Sequence, residues 1–218
     1  MPIRRASWRT LRHPAQYVAV AFSGASLFGA LLLRLPFATD PGESTSFVTA
    51  LFTATSAVCV TGLNVVDTAS HWSTFGELVI LGLIQVGGFG IIALSSLLVA
   101  VLARRLGLRH RLIAVAETGA LDMSDVRRLL VNVAKLTLVV EVLGAVLLAG
   151  RFAITHGEPA SRAAYLGVFH SISAFNNAGF ALFSDSLIGY QRDSFILLVI
   201  AVAIVVGGLG LPVWSQLG

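Results

Sequence analysis

Two short stretches of the sequence have residues suited to binding an ion through the backbone. AVCVTGL, residues 57–63, follows a short apolar run and breaks at Gly62; SAFNNAGF, residues 173–180, does the same at Gly179. Backbone that leaves a helix inside a membrane must be buried in protein or line a water-filled cavity. Rings of backbone carbonyls in such a cavity replace the hydration shell of a potassium ion. We interpret both breaks as selectivity-filter turns; ordinary loop glycines are the competing interpretation.

The two stretches belong to an internal repeat. FTATSAVCVTGL, residues 52–63, aligns with FHSISAFNNAGF, residues 169–180, and QVGGFGI, residues 85–91, aligns with VVGGLGL, residues 205–211. The repeated unit is a helix, a short re-entrant helix, a glycine turn and a second helix, and both copies run in the same direction. The later glycines indicate close helix packing. They are Gly87, Gly88, Gly90, Gly207, Gly208 and Gly210.

The composition predicts an integral membrane protein. Of 218 residues, 56% are hydrophobic and 12% are charged, and the mean hydropathy is +0.85. Apolar spans of membrane-crossing length cover residues 17–37, 72–103, 129–150 and from 195 onward. Two shorter apolar segments, residues 46–58 and 163–175, are too short to cross and predict the re-entrant helices. The basic N-terminus lacks a cleavage site, so its apolar run is expected to remain as a helix.

Basic residues predict the orientation. Ten of the 15 lysines and arginines precede the first span or lie between the second and third spans. The positive-inside rule then places the N-terminus, residues 1–15, and the loop 104–128 in the cytoplasm. Residues 16–103 and 129–218 form the two repeated units, with the glycine turns on the outer side. The pI near 10.0 is explained by this flanking charge, so no nucleic-acid partner is predicted.

At these motifs the sequence resembles the Trk/Ktr/HKT superfamily of potassium transporters, and most of all its TrkH- and KtrB-like membrane subunits. The resemblance rests on TSAVCVTGL, NNAGF, QVGGFGI and GGLGLPVW. It implies an all-α membrane fold of four helix–pore helix–helix units around one pore, each giving one filter strand. It identifies the first strand as Cys59, Val60, Thr61, Gly62 and Leu63, and the second as Asn176, Asn177, Ala178, Gly179 and Phe180. The K⁺ ligands would be the backbone carbonyls of Val60, Thr61, Gly62, Asn177, Ala178 and Gly179. Side chains of the strands are expected to pack away from the pore.

The resemblance also implies a setting for transport. It predicts K⁺ uptake across the cytoplasmic (inner) membrane, with possible coupling to Na⁺ or H⁺ and no covalently bound cofactor. In plant relatives a serine at the first filter glycine is associated with sodium passage, so Gly62 favours potassium. A homodimer docked on a cytoplasmic RCK-type ring of the TrkA or KtrA kind is expected, with the basic loop facing that ring or lipid headgroups.

The chain length departs from this pattern. Four units need about twice 218 residues, and the family's gating loop belongs to the third unit. We expect a fragment, a truncated gene product or one part of a split protein, and we expect that this chain does not form a selective pore alone. A non-conducting fragment or a membrane scaffold is the alternative to a transporter. No serine-hydrolase, zinc-protease or phosphate-loop motif is present in the sequence, so an enzyme is not expected.

Seven further residues have competing interpretations. Cys59, the only cysteine, is expected to be a small buried residue. His170 is expected to be a packed histidine rather than a metal ligand. Asn176 and Asn177 are either pore-mouth ligands or capping groups. Six positions separate Lys135 from Glu141, so they point to different helix faces; Lys135 is expected to reach the cytoplasmic surface and Glu141 to need a partner from another helix. Asp67 either attracts cations or is a solvated loop acid.

Overall fold

The computed structural model describes residues 12–41, 44–106 and 123–217. These residues form helices and contain no β-strand, apart from one isolated bridge between Thr39 and Trp72. The predicted cytoplasmic regions fall largely outside this description, namely residues 1–11 and 107–122. The helices are α1 (Arg12–Leu33), α2 (Phe47–Val58), α3 (Thr68–His71), α4 (Thr74–Leu106), α5 (Met123–Thr155), α6 (Ala160–Phe175) and α7 (Ser194–Leu217), with a 3₁₀ turn at Ile188–Tyr190 before α7.

Two helices are long and apolar enough to cross a membrane. In α4 the apolar stretch is Thr74–Leu94, of 21 residues, and in α5 it is Leu130–Thr155, of 26 residues. At about 1.5 Å per residue, each covers the roughly 30 Å of a hydrocarbon core. Shorter apolar stretches lie in α1, α2 and α7. Large apolar side chains are exposed along the crossing helices, Ile154 at 86% for example, as expected of surfaces that face lipid.

Several helix boundaries differ from the sequence prediction. The first span ends at Leu33 rather than at residue 37, because Pro36 cannot continue a helix and disfavours helical geometry just before it. The third span is longer than predicted, 33 residues in α5. The second short helix begins at Ala160, three positions before the prediction. The helix α3 was missed, since four residues show no periodicity; the carboxylate of Asp67 caps it.

Each of the two short helices buries one face against the long helices. Ala50, Ala54 and Ala57 on α2 are fully buried, among residues that include Ile80 and Ile84 of α4. Ser46 caps α2 by accepting a hydrogen bond from Thr49 N at 3.0 Å. The other short helix, α6, packs between α5 and α7 and buries Phe169 and Leu166. Both helices end at the segments that carry Gly62 and Gly179, so the long helices hold these segments in place.

Candidate functional site

Two segments form the candidate site, and each follows a short helix. The first turn is residues 59–63, after α2, and the second turn is residues 176–180, after α6. The ten residues of the two turns are those singled out in the sequence as filter strands.

The first turn leaves its helix by a Schellman hydrogen-bond pattern. Val60 N donates to Ala57 O at 3.2 Å, and Thr61 N donates to Ser56 O at 3.0 Å; these bonds satisfy the last helix carbonyls. The pattern requires one left-handed residue after the cap, and Val60 fills that place at φ +49°. A β-branched residue is strained there. The chain is therefore turned sharply at a cost that the surrounding packing must offset.

The second turn repeats this backbone geometry. Asn177 N donates to Ala174 O at 3.0 Å, and Ala178 N donates to Ser173 O at 2.8 Å. The left-handed residue is Asn177, at φ +57°, a residue type that tolerates this conformation. Two segments with different sequences thus adopt the same exit from a helix.

The two turns meet at their glycines. Gly62 and Gly179 both have positive φ, +69° and +73°. A Cβ on Gly62 would lie 3.0 Å from Ala178 O and 3.2 Å from the Cα of Gly179, and one on Gly179 would lie 3.0 Å from the Cα of Gly62. Glycine is therefore required twice over, by the backbone angle and by the approach of the other chain. The backbones face each other with no side chain between them at this point.

The glycine doublets support the ends of the short helices. A Cβ on Gly87 of α4 would overlap the carbonyl oxygen of Val58, and one on Gly207 of α7 would overlap that of Phe175. Gly88 lies in the same way against the side-chain amide of Asn176. The prediction of close packing by these glycines is confirmed at all three positions. Gly208 is different, since its nearest neighbour would be 3.7 Å from a Cβ.

A buried polar cluster holds the start of the second turn. The Nδ2 of Asn176 lies 3.0 Å from Glu141 Oε1 of α5 and 3.2 Å from Gln85 Oε1 of α4, and Gln85 Nε2 donates to Glu141 Oε2 at 3.1 Å. The three side chains thus form a closed ring, which we call the amide–carboxylate ring. The expectation that Glu141 needs a partner from another helix is confirmed. Asn176 is 4% exposed, and its Nδ2 also lies 2.9 Å from Ile172 O. Its two N–H groups are therefore shared among three acceptors, and Asn176 acts as a buried capping group.

Sequence reasoning did not include two serines that fasten the turns. Ser56 Oγ accepts from Leu63 N at 3.0 Å and bonds Thr61 Oγ1 at 2.9 Å. Ser173 Oγ accepts from Phe180 N at 3.1 Å and donates to Phe180 O at 2.6 Å. Each serine therefore ties the last residue of its turn back to the preceding helix. The signal was available, because serine occupies the same place in both copies of the repeat.

Cys59 was predicted to be buried, and this was wrong because the structure exposes its side chain. It lies about 200° around the helix axis from the buried Ala57, at 100° per residue. Leu63 is 60% exposed, whereas Ala178 and Phe180 are buried in the protein at 0% and 2%. The side chains of the turns thus have no common environment, although their backbones match.

Three further predictions concern charged and polar side chains. His170 is a packed histidine, as expected: it is 4% exposed, its Nδ1 lies 2.8 Å from Leu166 O, and its Nε2 accepts from Leu182 N. Lys135 is exposed, and the carboxylate of Glu141 bonds the two amides described above rather than this lysine. Groups of three or more metal-binding side chains are absent from the described residues.

Asp67 joins the loops that follow the two turns. Its carboxylate accepts from Ser184 Oγ at 2.5 Å, from Ser70 Oγ at 2.8 Å and from Ala69 N at 3.0 Å. Partial burial raises the pKa of Asp67, but these hydrogen bonds outweigh it and keep the pKa below the usual 3.8. Asp67, Asn64 and Gly179 line a cleft of about 360 Å³ beside the turns. Asp67 is thus neither free nor simply solvated.

Comparison with known proteins identifies the family. The sequence profile of TrkH, a family described as "Cation transport protein", matches residues 4–217. The chain belongs to the TrkH family. Its members are membrane transporters and not enzymes, which agrees with the apolar helices α4 and α5 and with the resemblance found in the sequence.

Relatives include potassium uptake proteins. The chain is 38% identical to "Potassium/sodium uptake protein NtpJ" of Enterococcus hirae, over the whole chain and 48% of that protein. It is 38% identical to "Ktr system potassium uptake protein B" of Bacillus subtilis and 40% identical to the protein of the same name from Vibrio alginolyticus. These two matches cover 92% and 90% of the chain and 44% and 42% of the relatives. The chain spans about half the length of the curated relatives it matches.

Proposed function

We propose that this chain supplies two of the four filter strands of a potassium-uptake pore in the cytoplasmic membrane. The strands are the first and second turns. The ion would be held by the backbone carbonyls predicted from the sequence, those of Val60, Thr61 and Gly62 and of Asn177, Ala178 and Gly179. The units 16–103 and 129–218 are then two of the helix–pore helix–helix repeats.

One observation carries the proposal. Two segments far apart in sequence leave short buried helices by the same hydrogen bonds and meet at Gly62 and Gly179, where a Cβ on either glycine would press against the other backbone. A cation that loses its hydration shell needs oxygens on several sides at once. Paired turns whose backbones approach each other offer such oxygens, because the glycines put no side chain in the way. A loop with only a structural role has no need of this matched approach.

The lengths of the relatives support a half ring. The matched uptake proteins for potassium, or for potassium and sodium, are about twice as long as this chain. Carbonyls from two strands would replace only about half of the ion's hydration shell. We infer that the remaining strands come from a polypeptide segment equivalent to the unmatched part of these relatives. The orientation, the RCK-type ring and the homodimer remain predictions from the sequence.

The proposal is tested with a chimera of the Enterococcus hirae relative in which this chain replaces the segment that it matches. We expect the chimera to restore rubidium uptake and growth at limiting K⁺ to an uptake-deficient strain. The chain alone, purified into liposomes, is expected to take up little rubidium. Gly62→Ser and Gly179→Ser in the chimera should reduce the preference for rubidium over sodium, since a side chain at either site displaces the facing backbone.

The matched control is Gly157→Ser, which also has positive φ but has open space around a Cβ. Backbone strain is therefore common to all three variants, and contact between the turns is not. If an expressed, membrane-inserted chimera kept its ion preference with serine at both Gly62 and Gly179, the filter assignment would be wrong. Robust, sodium-discriminating uptake by the chain alone would instead contradict the half ring.

A further inference from the structure

The amide–carboxylate ring links both turns to one helix. In α4, Gly87 packs against the carbonyl that ends α2, just before the first turn. Gly88, the next residue, packs against the side chain of Asn176, and Gln85 of the same helix accepts a hydrogen bond from that side chain. A single turn of α4 therefore contacts the start of both glycine turns. The position of the second turn relative to the first is set at this place.

Glu141 completes the ring from the opposite helix. Its two carboxylate oxygens are used separately, one by Asn176 and one by Gln85, and the residue is 7% exposed. Its own backbone carbonyl accepts from Ser171 Oγ at 2.7 Å, which fixes α5 against α6. Hydrogen bonds to a charged acceptor are stronger than those between neutral groups. Without this carboxylate, the amides of Gln85 and Asn176 would each lose a buried partner.

The first turn has no equivalent of this arrangement. The residue that matches Asn176 in the repeat is Cys59, which is exposed, and the residue that matches Gln85 is Val205, which is 56% exposed. The ring is therefore not a general feature of the repeated unit. Among the described residues, it occurs only where the second turn meets α4 of the first unit.

We propose that Glu141 is a positioning residue, which holds the second turn at a fixed place relative to the first and thereby sets the ion discrimination of the paired turns. The effect passes through Gln85 and Asn176, and Glu141 itself does not touch the ion. This inference rests on the proposed function. A carboxylate so placed has a second possible role, attraction of cations by its charge, and the experiment separates the two.

The first measurement needs no transport. In the purified chain, nitroxide labels on the native Cys59 and on Asp185→Cys, both exposed, report the distance between the first turn and the loop after the second. We expect Glu141→Ala to broaden or shift this distance distribution. Glu141→Gln keeps one acceptor oxygen for Asn176 but turns an NH₂ group toward the donor of Gln85, so it should shift the distance less than Glu141→Ala does. The control is Val142→Ala, next in α5 and 53% exposed.

The second measurement is ion preference in the chimera described above. Glu141→Ala removes two hydrogen bonds, of which only the one to Asn176 acts directly on the second turn. We therefore expect it to lower the ratio of rubidium to sodium uptake about tenfold, the factor equivalent to that one lost hydrogen bond to a charged group. Gln85→Ala should act in the same direction and more weakly, since it leaves the bond between Glu141 and Asn176. Glu141→Gln, which keeps an acceptor for Asn176 only, should lose less of the ratio than Glu141→Ala.

The outcomes separate the inference from the proposed function. If Glu141→Gln lowers the ratio as much as Glu141→Ala does while its label distances stay as in the wild type, charge and not position is responsible, and the inference is wrong. It is equally wrong if Glu141→Ala leaves the label distances or the ratio unchanged while Gly179→Ser alters ion preference. If Gly62→Ser and Gly179→Ser also leave ion preference unchanged, the filter assignment itself has failed.

Discussion

The first and second turns have the same backbone and different supports. Both leave a short helix through two matching hydrogen bonds, and both reach a glycine with positive φ. The first turn begins at the exposed Cys59, whereas the second begins at Asn176, buried in the amide–carboxylate ring. The backbone path is thus determined by residues common to the two copies. The buried support of the second turn comes from residues that differ between the copies.

This difference also affects strain. The left-handed place is taken by Val60 in the first turn and by Asn177 in the second. A β-branched residue is unfavourable there, while asparagine tolerates it. The first turn therefore combines strain with fewer buried polar contacts, so we expect it to be the more deformable of the two.

The largest loss of stability is expected where a glycine of a long helix packs against the end of a short helix, just before each turn. Gly87→Ala and Gly207→Ala would each place a methyl group on top of the carbonyl oxygen that ends a short helix. Relief of this overlap requires a shift of helix backbone. Overpacking of a core costs about 1–3 kcal/mol, and we expect the upper end of this range in the free energy of unfolding, or no folded chain, because the overlapped atoms belong to backbone. Thermal unfolding in detergent and the yield of folded chain measure it.

Matched controls lie in the same two helices. Gly82 of α4 has open space around a Cβ and Gly208 of α7 has only ordinary contacts, so Gly82→Ala and Gly208→Ala should be tolerated. Alanine is also the better helix former by about 1 kcal/mol. Equal stability of all four variants would mean that α4 and α7 do not press on the ends of the short helices.

The next effect compares the two serines. Ser173→Ala leaves both the N–H and the carbonyl of Phe180 without their partner at a buried site, whereas Ser56→Ala affects a more exposed turn. A buried group left unsatisfied costs about 1–3 kcal/mol, and water compensates part of that cost at the exposed site. We expect Ser173→Ala to lower the unfolding free energy by the larger amount. A larger loss from Ser56→Ala would reverse our ranking of the turns.

A smaller effect should reveal the strain in the first turn. Val60→Gly removes a β-branched residue from a left-handed conformation that costs about 1–3 kcal/mol. The glycine destabilises the folded state by roughly 0.5–1 kcal/mol, because it loses more chain entropy on folding. Asn177→Gly gains little, because asparagine already accepts this conformation. The change in the free energy of unfolding should therefore be more favourable for Val60→Gly than for Asn177→Gly, by about 1 kcal/mol. If both variants lose the same stability, Val60 is not strained.

Much of this site could be predicted from the sequence, and the missing parts have physical reasons. The repeat and its glycines gave the positions of both turns, because such a turn needs particular residues at particular places. Glu141 was expected to have a partner, since a carboxylate within an apolar helix requires one. That partner could not be named, because Gln85 and Asn176 come from other helices and only packing brings them together. The exposure of Cys59 was missed, as the side a residue faces at a helix end depends on neighbouring elements.

The smallest effect concerns the loops, where Asp67 of the first unit accepts a hydrogen bond from Ser184 of the second. Its pKa is lowered on folding, so its contribution to stability is present above its unfolded pKa and is lost as the pH falls through the folded one. Because the carboxylate is mostly solvated, we expect Asp67→Asn to lower the unfolding midpoint by no more than about 3 °C at neutral pH. The difference from wild type should shrink on acidification below about pH 4. Asp185→Asn, in the same loop region and exposed, is the control. A difference that grew on acidification would mean that Asp67 does not join the two loops as a carboxylate.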